Sequence, residues 1–367
     1  MKTIIMKCSL LLLLCLPVFV KASTECEVAE RRINREFSTH ADANLEIDNK
    51  YGSINIVSGP AGKIVFDVLI TATCSNLIKA KEAIDRVNIR FQETSTKVSA
   101  VTEISSPSGL MSWFDTGNVE IEVNYQVSVP PDVYMALSQK YGNIYVETTN
   151  RDLQVNLSYG DIRLGDINAK LNLDMAYSDG SISKINKGNF VLSYANLQME
   201  DAEALDVDMK YTDLVTGNVS RANVTTAYCD LKAMEIGAMT YRGKYDDVVI
   251  DRITSLDWES AYTGLQIGSV TSSARFDMRY GDLQVRHVVA GFTRMDINTS
   301  YTGVILEFAD NASFTIDAAV NYCDIHHRDI RVTEDIQKGS SSSLKGSKGS
   351  GGGQVYVRMN YGEFSLE

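Results

Sequence analysis

Residues 137–164 read LSQKYGNIYVETTNRDLQVNLSYGDIRL. Tyr141 and Tyr159 stand 18 residues apart, each followed by glycine, an Asn or Asp, and isoleucine. The same unit recurs at Tyr177 (YSDGSI), Tyr194 (YANLQM), Tyr211 (YTDLVT), Tyr228 (YCDLKA), Tyr245 (YDDVVI), Tyr262 (YTGLQI) and Tyr280 (YGDLQV). Tyr301 (YTGVIL), Tyr322 (YCDIHH) and Tyr361 (YGEFSL) complete the series. The spacings are 18, 18, 17, 17, 17, 17, 17, 18, 21, 21 and 39. A period this regular is the mark of a solenoid.

The register inside each unit sets the backbone path. The residue four before each tyrosine is apolar or aromatic, from Leu137 to Val357. An apolar residue also stands three after, as in Ile144, Ile162, Leu197, Leu214 and Leu283. The Tyr177 unit alone breaks this, and we read an extra residue there that moves the apolar position to Ile182. Polar residues alternate between these sites, as in strands with one buried side. The step from 0 to +3, where +2 would keep the alternation, is what a corner does. The residues at that step (Gly-Asp, Thr-Asp, Ala-Asn, Cys-Asp) are turn formers. No proline occurs from residue 132 to 367, which suits a backbone committed to hydrogen bonds. The expectation is an all-β chain: a single-stranded parallel β-helix, right-handed and three-faced, with 17–18 residues per coil and tyrosine stacked on tyrosine at one corner.

The N-terminal part reads differently. Lys2 and Lys7 precede an apolar run from Leu10 to Val20, with small residues by Ala22, so residues 1–22 read as a signal peptide and not a membrane span. Its removal takes three lysines and no acids, moving the net charge from -12 to -15. Residues 23–57 hold a first coil around Tyr51, in NLEIDNKYGSINI. Residues 58–134 are then a small N-terminal α/β cap insertion, with a helix from Asn76 to Val87, and residues 135–367 the solenoid. The segment KGSSSSLKGSKGSGGG, residues 338–353, reads as a flexible loop before Val355, Val357 and Met359 rejoin the coils. An uncapped solenoid end invites self-association, for which Phe364 and Leu366 are the expected contacts. Of the cysteines outside the leader, Cys26–Cys74 is the one pairing considered; Cys229 and Cys323 are expected to be free thiols.

The stretch from Val123 to Leu164, VNYQVSVPPDVYMALSQKYGNIYVETTNRDLQVNLSYGDIRL, resembles a family of exported bacterial proteins of unknown function. They are known as candidate adhesins of Gram-negative commensals and are related to an auto-transporter head domain. The resemblance covers roughly residues 40–367 and rests on the Tyr-Gly-Asp-Ile coil. It implies a β-helix and a role in adhesion, and brings no catalytic residues with it.

The search for chemistry agrees. There is no H-E-x-x-H, phosphate loop, G-x-S-x-G or calcium-loop motif, so no catalytic, cofactor or metal residue is assigned. His327, at an inward position near Cys323, Asp324 and Asp329, reads as an edge histidine and not a ligand. The acidic balance argues against nucleic acid. Two candidate surfaces remain. One is a corner ridge of Asp161, Asp179, Asp213, Asp230, Asp247, Asp282 and Asp324, read either as a cation-binding or lyase-like ridge or as turn chemistry. The other is the loop SSPSGLMSWFDTGN, whose Met111, Trp113 and Phe114 form either an aromatic contact or a plug over the core. The functional expectation is a non-enzymatic exported protein, in the periplasm or on the cell surface, that binds a glycan or envelope protein along its rod. The alternatives are a self-associating structural module and, third, a carbohydrate-active enzyme.

Overall fold

The computed structural model describes residues 26–39, 43–105 and 119–367. The expected signal peptide, His40 and the loop residues Met111, Trp113 and Phe114 lie outside the described residues.

Alternating apolar residues build the first elements: β1 (Glu27–Ser38), β2 (Asn44–Ser58) and β3 (Lys63–Cys74). The helix α1 (Leu77–Asp85) follows, its start capped by the Asn76 side chain, which accepts from the Ile78 and Lys79 amides. It buries Ala80, Ala83 and Ile84 against β1 and β3. Next come β4 (Val87–Glu93), β5 (Lys97–Ile104), β6 (Glu120–Val129) and β7 (Tyr134–Thr149). The long runs β8 (Leu153–Lys210), β9 (Asp213–Ala227), β10 (Asp230–Lys244), β11 (Asp247–Val288) and β12 (Arg294–Phe308) wind through the repeats. The chain ends with β13 (Phe314–His327), β14 (Arg331–Lys338), β15 (Ser341–Lys348) and β16 (Gly353–Leu366).

Successive repeats pair in parallel and in register. Asp230 lies between Asp213 and Asp247, and Tyr241 between Val224 and Trp258. The result is one sheet running β1-β3-β6-β2-β7 through β12, then β16-β13-β15-β14. The residues four before and three and five after the tyrosines fill a continuous core, from Leu137, Ile144 and Val146 to Val357, Phe364 and Leu366, which thins at Ile325 and His327 after Tyr322. Because every interior strand is paired on both edges, a proline there would lose a ladder bond, which accounts for its absence.

Four expectations need correction. First, β16 does not extend the rod beyond Tyr322. It threads between β12 and β13, so the spatial order of the last coils is Tyr301, Tyr361, Tyr322. Phe364 and Leu366 are therefore buried between coils and are not end contacts. Second, residues 341–348 are no loose excursion. They form β15, antiparallel to both β13 and β14, because a strand of serine and glycine still offers a full set of backbone donors and acceptors. Third, the Tyr177 coil has no extra residue. Gly180 occupies the inward position three after the tyrosine, where a Cβ would meet Ile162 Cγ2 at 2.3 Å, and Ile182 is the ordinary inward residue five after. Fourth, His327 is exposed. The region 58–134 also does more than interrupt: β5 and β6 each pair in parallel with β2, on either side of Tyr51.

The cysteines at positions 26, 74, 229 and 323 are all free. The β1–β3 register sets Glu27 opposite Cys74, leaving exposed Cys26 one residue beyond its buried candidate partner.

Candidate binding surface: the tyrosine row and its acidic border

Each coil must reverse its alternation at the corner, and a left-handed residue does this in one step. Tyrosine takes that place. Thirteen tyrosines, from Tyr51 to Tyr361, have φ between 51° and 64°. This region costs an L-residue about 1–2 kcal/mol. Stacking offsets it. Ring centroids lie 5.5 Å apart for Tyr51–Tyr141 and 4.8–5.0 Å apart along the rest of the row, with neighbouring planes inclined by 1–18°. Such a pair adds about 0.5–1.5 kcal/mol beyond burial. At one coil per ~4.8 Å the row is about 60 Å long.

The rings are not core. They are 36–60% exposed, while the next residue in each coil turns inward, as with Ala195, Thr212, Cys229 and Thr263. In the first coils that inward residue is glycine because a Cβ on Gly142 would lie 1.7 Å from the Gly52 carbonyl oxygen. Each interior ring covers the faces of its neighbours. What reaches solvent is therefore a row of ring edges and hydroxyls, with the Lys50 and Lys140 ammonium groups 5.0 and 5.2 Å from the Tyr51 and Tyr141 centroids.

The expected acidic ridge runs beside this row. Asp161, Asp179, Asp213, Asp230, Asp247, Asp282 and Asp324 are all exposed. Glu363, brought in by the threaded β16, stands between Gly303 and Asp324 and was hidden from a linear reading of the repeats. Part of the ridge is internally bonded: the Asp161 amide donates to Asn143 Oδ1 at 2.8 Å, and Asn196 Nδ2 donates to Asp179 Oδ1 at 2.8 Å. Asp213, Asp230 and Asp247 stand in register. Partial burial, with repulsion from Asp213 and Asp247, holds the Asp230 carboxyl above its ordinary range. Among the described residues no group of three or more His, Cys, Asp or Glu side chains could hold a metal ion. The ridge borders the tyrosines with negative charge.

One polar cluster escaped sequence reasoning. Asp246, next to Tyr245, takes the inward corner position and is buried. Its carboxylate accepts from Thr226 Oγ1 at 2.7 Å, the Tyr241 hydroxyl at 2.9 Å and the Cys229 amide at 2.9 Å. Tyr241 in turn stacks on Trp258 at 3.7 Å. The signal was present in YDDV, where two acids follow tyrosine and only the second sits at the ridge position.

The stack of parallel in-register coils defines a β-solenoid. The chain belongs to the Toastrack DUF4097 family, whose model matches residues 43–367. No curated protein matches it. Among solved structures, a candidate adhesin from Parabacteroides distasonis is 13% identical, covering 70% of this chain and 96% of that one at a TM-score of 0.34. A candidate adhesin from Parabacteroides merdae is 11% identical over 70% and 96% of the two chains, with a TM-score of 0.32. A candidate lipid-binding protein from Parabacteroides distasonis is 14% identical over 69% and 96%, with a TM-score of 0.25. These scores carry no argument about what the chain binds. Among the described residues no helix is long and apolar enough to cross a membrane.

Two predictions follow from this geometry. Tyr211→Ala removes two stacked pairs and leaves a left-handed alanine, a loss of about 1–3 kcal/mol, whereas Tyr211→Gly recovers about 1 kcal/mol of it by relaxing the backbone. Urea unfolding should rank wild type above glycine and glycine above alanine. For Asp246, burial is the largest influence and raises the carboxyl pKa. Its stabilising contribution is then whole below the unfolded value near pH 4 and is lost as pH rises. Thermal melts should find Asp246→Asn level with wild type below pH 4 and more stable than it by a few degrees at pH 8.

Proposed function

We propose that this chain is a non-enzymatic, exported, adhesin-like protein that binds a glycan or an envelope protein along its rod. The tyrosine row carries this reading. A surface that leaves so many ordered aromatic edges half-exposed is of the kind that recognises partners. Because the ring faces are covered, recognition along the row works through hydroxyls and ring edges, and a ligand with a repeat near 5 Å meets one phenol per step. The basic, apolar leader supports export, to the periplasm or the cell surface. In this reading the coils wind right-handed with three faces, residues 58–134 cap one end, and the kinship with auto-transporter heads reflects a shared rod used for contact.

Self-association is a second reading. It is favoured by β14, the last strand of the sheet, which exposes Val332 and Ile336 at 39% and 52%.

Residues 23–367, probed on a glycan array and on a panel of matrix and envelope proteins, should bind at least one class saturably. Changing Tyr194, Tyr211 and Tyr228 together to phenylalanine keeps the stack and removes the hydroxyls. It should weaken that binding roughly tenfold with an unchanged circular dichroism spectrum. Silence on both panels would remove the proposal, and light scattering of the same samples reports on self-association.

A further inference from the structure

The outward side of the coils carries several shallow recesses, and one of them is floored by small residues. Residues four after each tyrosine point out: Tyr145, Arg163, Ser181, Gln198 and Val215 in successive coils. All are exposed except Ser181, which is half-buried. Residues six after run Glu147, Gly165, Ser183, Glu200 and Gly217, and here Gly165 and Ser183 are recessed between exposed glutamates. Small side chains thus form a floor, and Gly180, the one glycine three after a tyrosine, lies under it. Two adjoining cavities of about 410 and 530 Å³ occupy the notch and share Tyr145, Arg163 and Ser181. Tyr145 and Arg163 stand side by side on one wall, and Gln198 and Glu200 on the other. Two coil steps, about 10 Å, separate Arg163 from Gln198, close to the width of one pyranose ring with its hydroxyls, and Tyr145 stands one coil further out.

The groups on these walls are unspent. Tyr145 is 39% exposed and, unlike the row at the corner, stacks on no ring among the described residues; its strand neighbours are Asn55 and Arg163. Among the described residues the Arg163 guanidinium has no carboxylate partner, in contrast to Arg221, Arg242, Arg275 and Arg358, which pair with Glu203, Glu259, Asp257 and Asp317. The Tyr145 hydroxyl, the Gln198 amide and the Glu200 carboxylate likewise make no hydrogen bond with another described residue. The cleft therefore offers one part-exposed aromatic ring, one planar cationic donor, one amide that donates and accepts, and one carboxylate that accepts.

We infer that this cleft is a subsite for a neutral sugar residue of an oligosaccharide. The inference rests on the binding role proposed above and gives it a place and a ligand class. The apolar C–H face of a pyranose packs on the Tyr145 ring. Adjacent hydroxyls accept from Arg163 and Gln198 and donate to Glu200. Charge selects the neutral class: Asp161, Asp179 and Glu200 outnumber Arg163 at the cleft, and the whole chain is net negative. An acidic sugar would meet net repulsion from these carboxylates. The floor of Gly165, Ser181 and Ser183 is what admits the ring, so its small residues are the specificity element.

The test is a printed panel of neutral hexose and N-acetylhexosamine oligosaccharides alongside uronate and sialylated ones, followed by titration calorimetry with the strongest. Residues 23–367 should bind a neutral oligosaccharide in preference to acidic ones. Tyr145→Ala and Arg163→Ala should each weaken it at least tenfold, and Ser181→Tyr should abolish it by filling the floor. Gln284→Ala, on the same side of the rod outside the cleft, should leave it unchanged, and all variants should melt with wild type. Preference for acidic glycans, or glycan binding indifferent to these cleft substitutions, overturns the cleft and leaves the broader role standing. Absence of any glycan binding overturns it too, with binding on the protein panel then deciding the broader role separately.

Discussion

A tyrosine held in the left-handed region at every corner is the constraint on which the rest of this molecule depends. Left alone, each such residue is a liability of about 1–2 kcal/mol. Stacked at the coil spacing, it becomes a contact of comparable size and opposite sign. The balance is close enough that neither an isolated corner nor an isolated coil has reason to form. The corner becomes favourable when the coil above and the coil below supply rings, so the row couples neighbouring coils on the outside as the apolar core does on the inside.

The corner then orders what surrounds it. By flipping the alternation, the tyrosine sends the next residue inward and the one after it outward. The inward place must be small, or polar with a partner, which is how glycine, threonine, cysteine and the bonded Asp246 come to share one column. The outward place collects Asp and Asn, so a negative border lies beside the phenols as a by-product of turn chemistry. On the outward side of the same coils, the small residues Gly165, Ser181 and Ser183 floor a recess.

Much of this was legible in the sequence. Tyrosine period and apolar alternation sufficed for the parallel coils, the corner and the stacked rings, because each is local and repeats. What escaped was set by contacts between distant residues. The 39-residue gap before Tyr361 says that a coil is delayed, but not that it returns between Tyr301 and Tyr322. Composition makes residues 341–348 look structureless, yet backbone pairing with β13 needs no side chains. Ile182 looked like a shifted core residue because Gly180 hides a core position. Its space is filled by Ile162 and Leu197 from the neighbouring coils. Asp246 passed unremarked beside the ridge residue Asp247, and only its partners Thr226, Tyr241 and Cys229 show that it is interior. The cleft was invisible, since exposed Tyr145 and Arg163 gain meaning only from the small residues in the neighbouring coils.

The most direct test of the central claim is native-state hydrogen exchange of the wild-type protein, read by mass spectrometry on peptides that span the corners. If the stacked tyrosines hold the coils together, corner amides such as Tyr211 and Tyr228, which donate to the Ala227 and Lys244 carbonyls of the next coil, will exchange as slowly as amides in mid-strand. Fast exchange at the corners with protection retained in the strands between them would contradict the account. It would show the row to be a passenger on a solenoid held by its core alone.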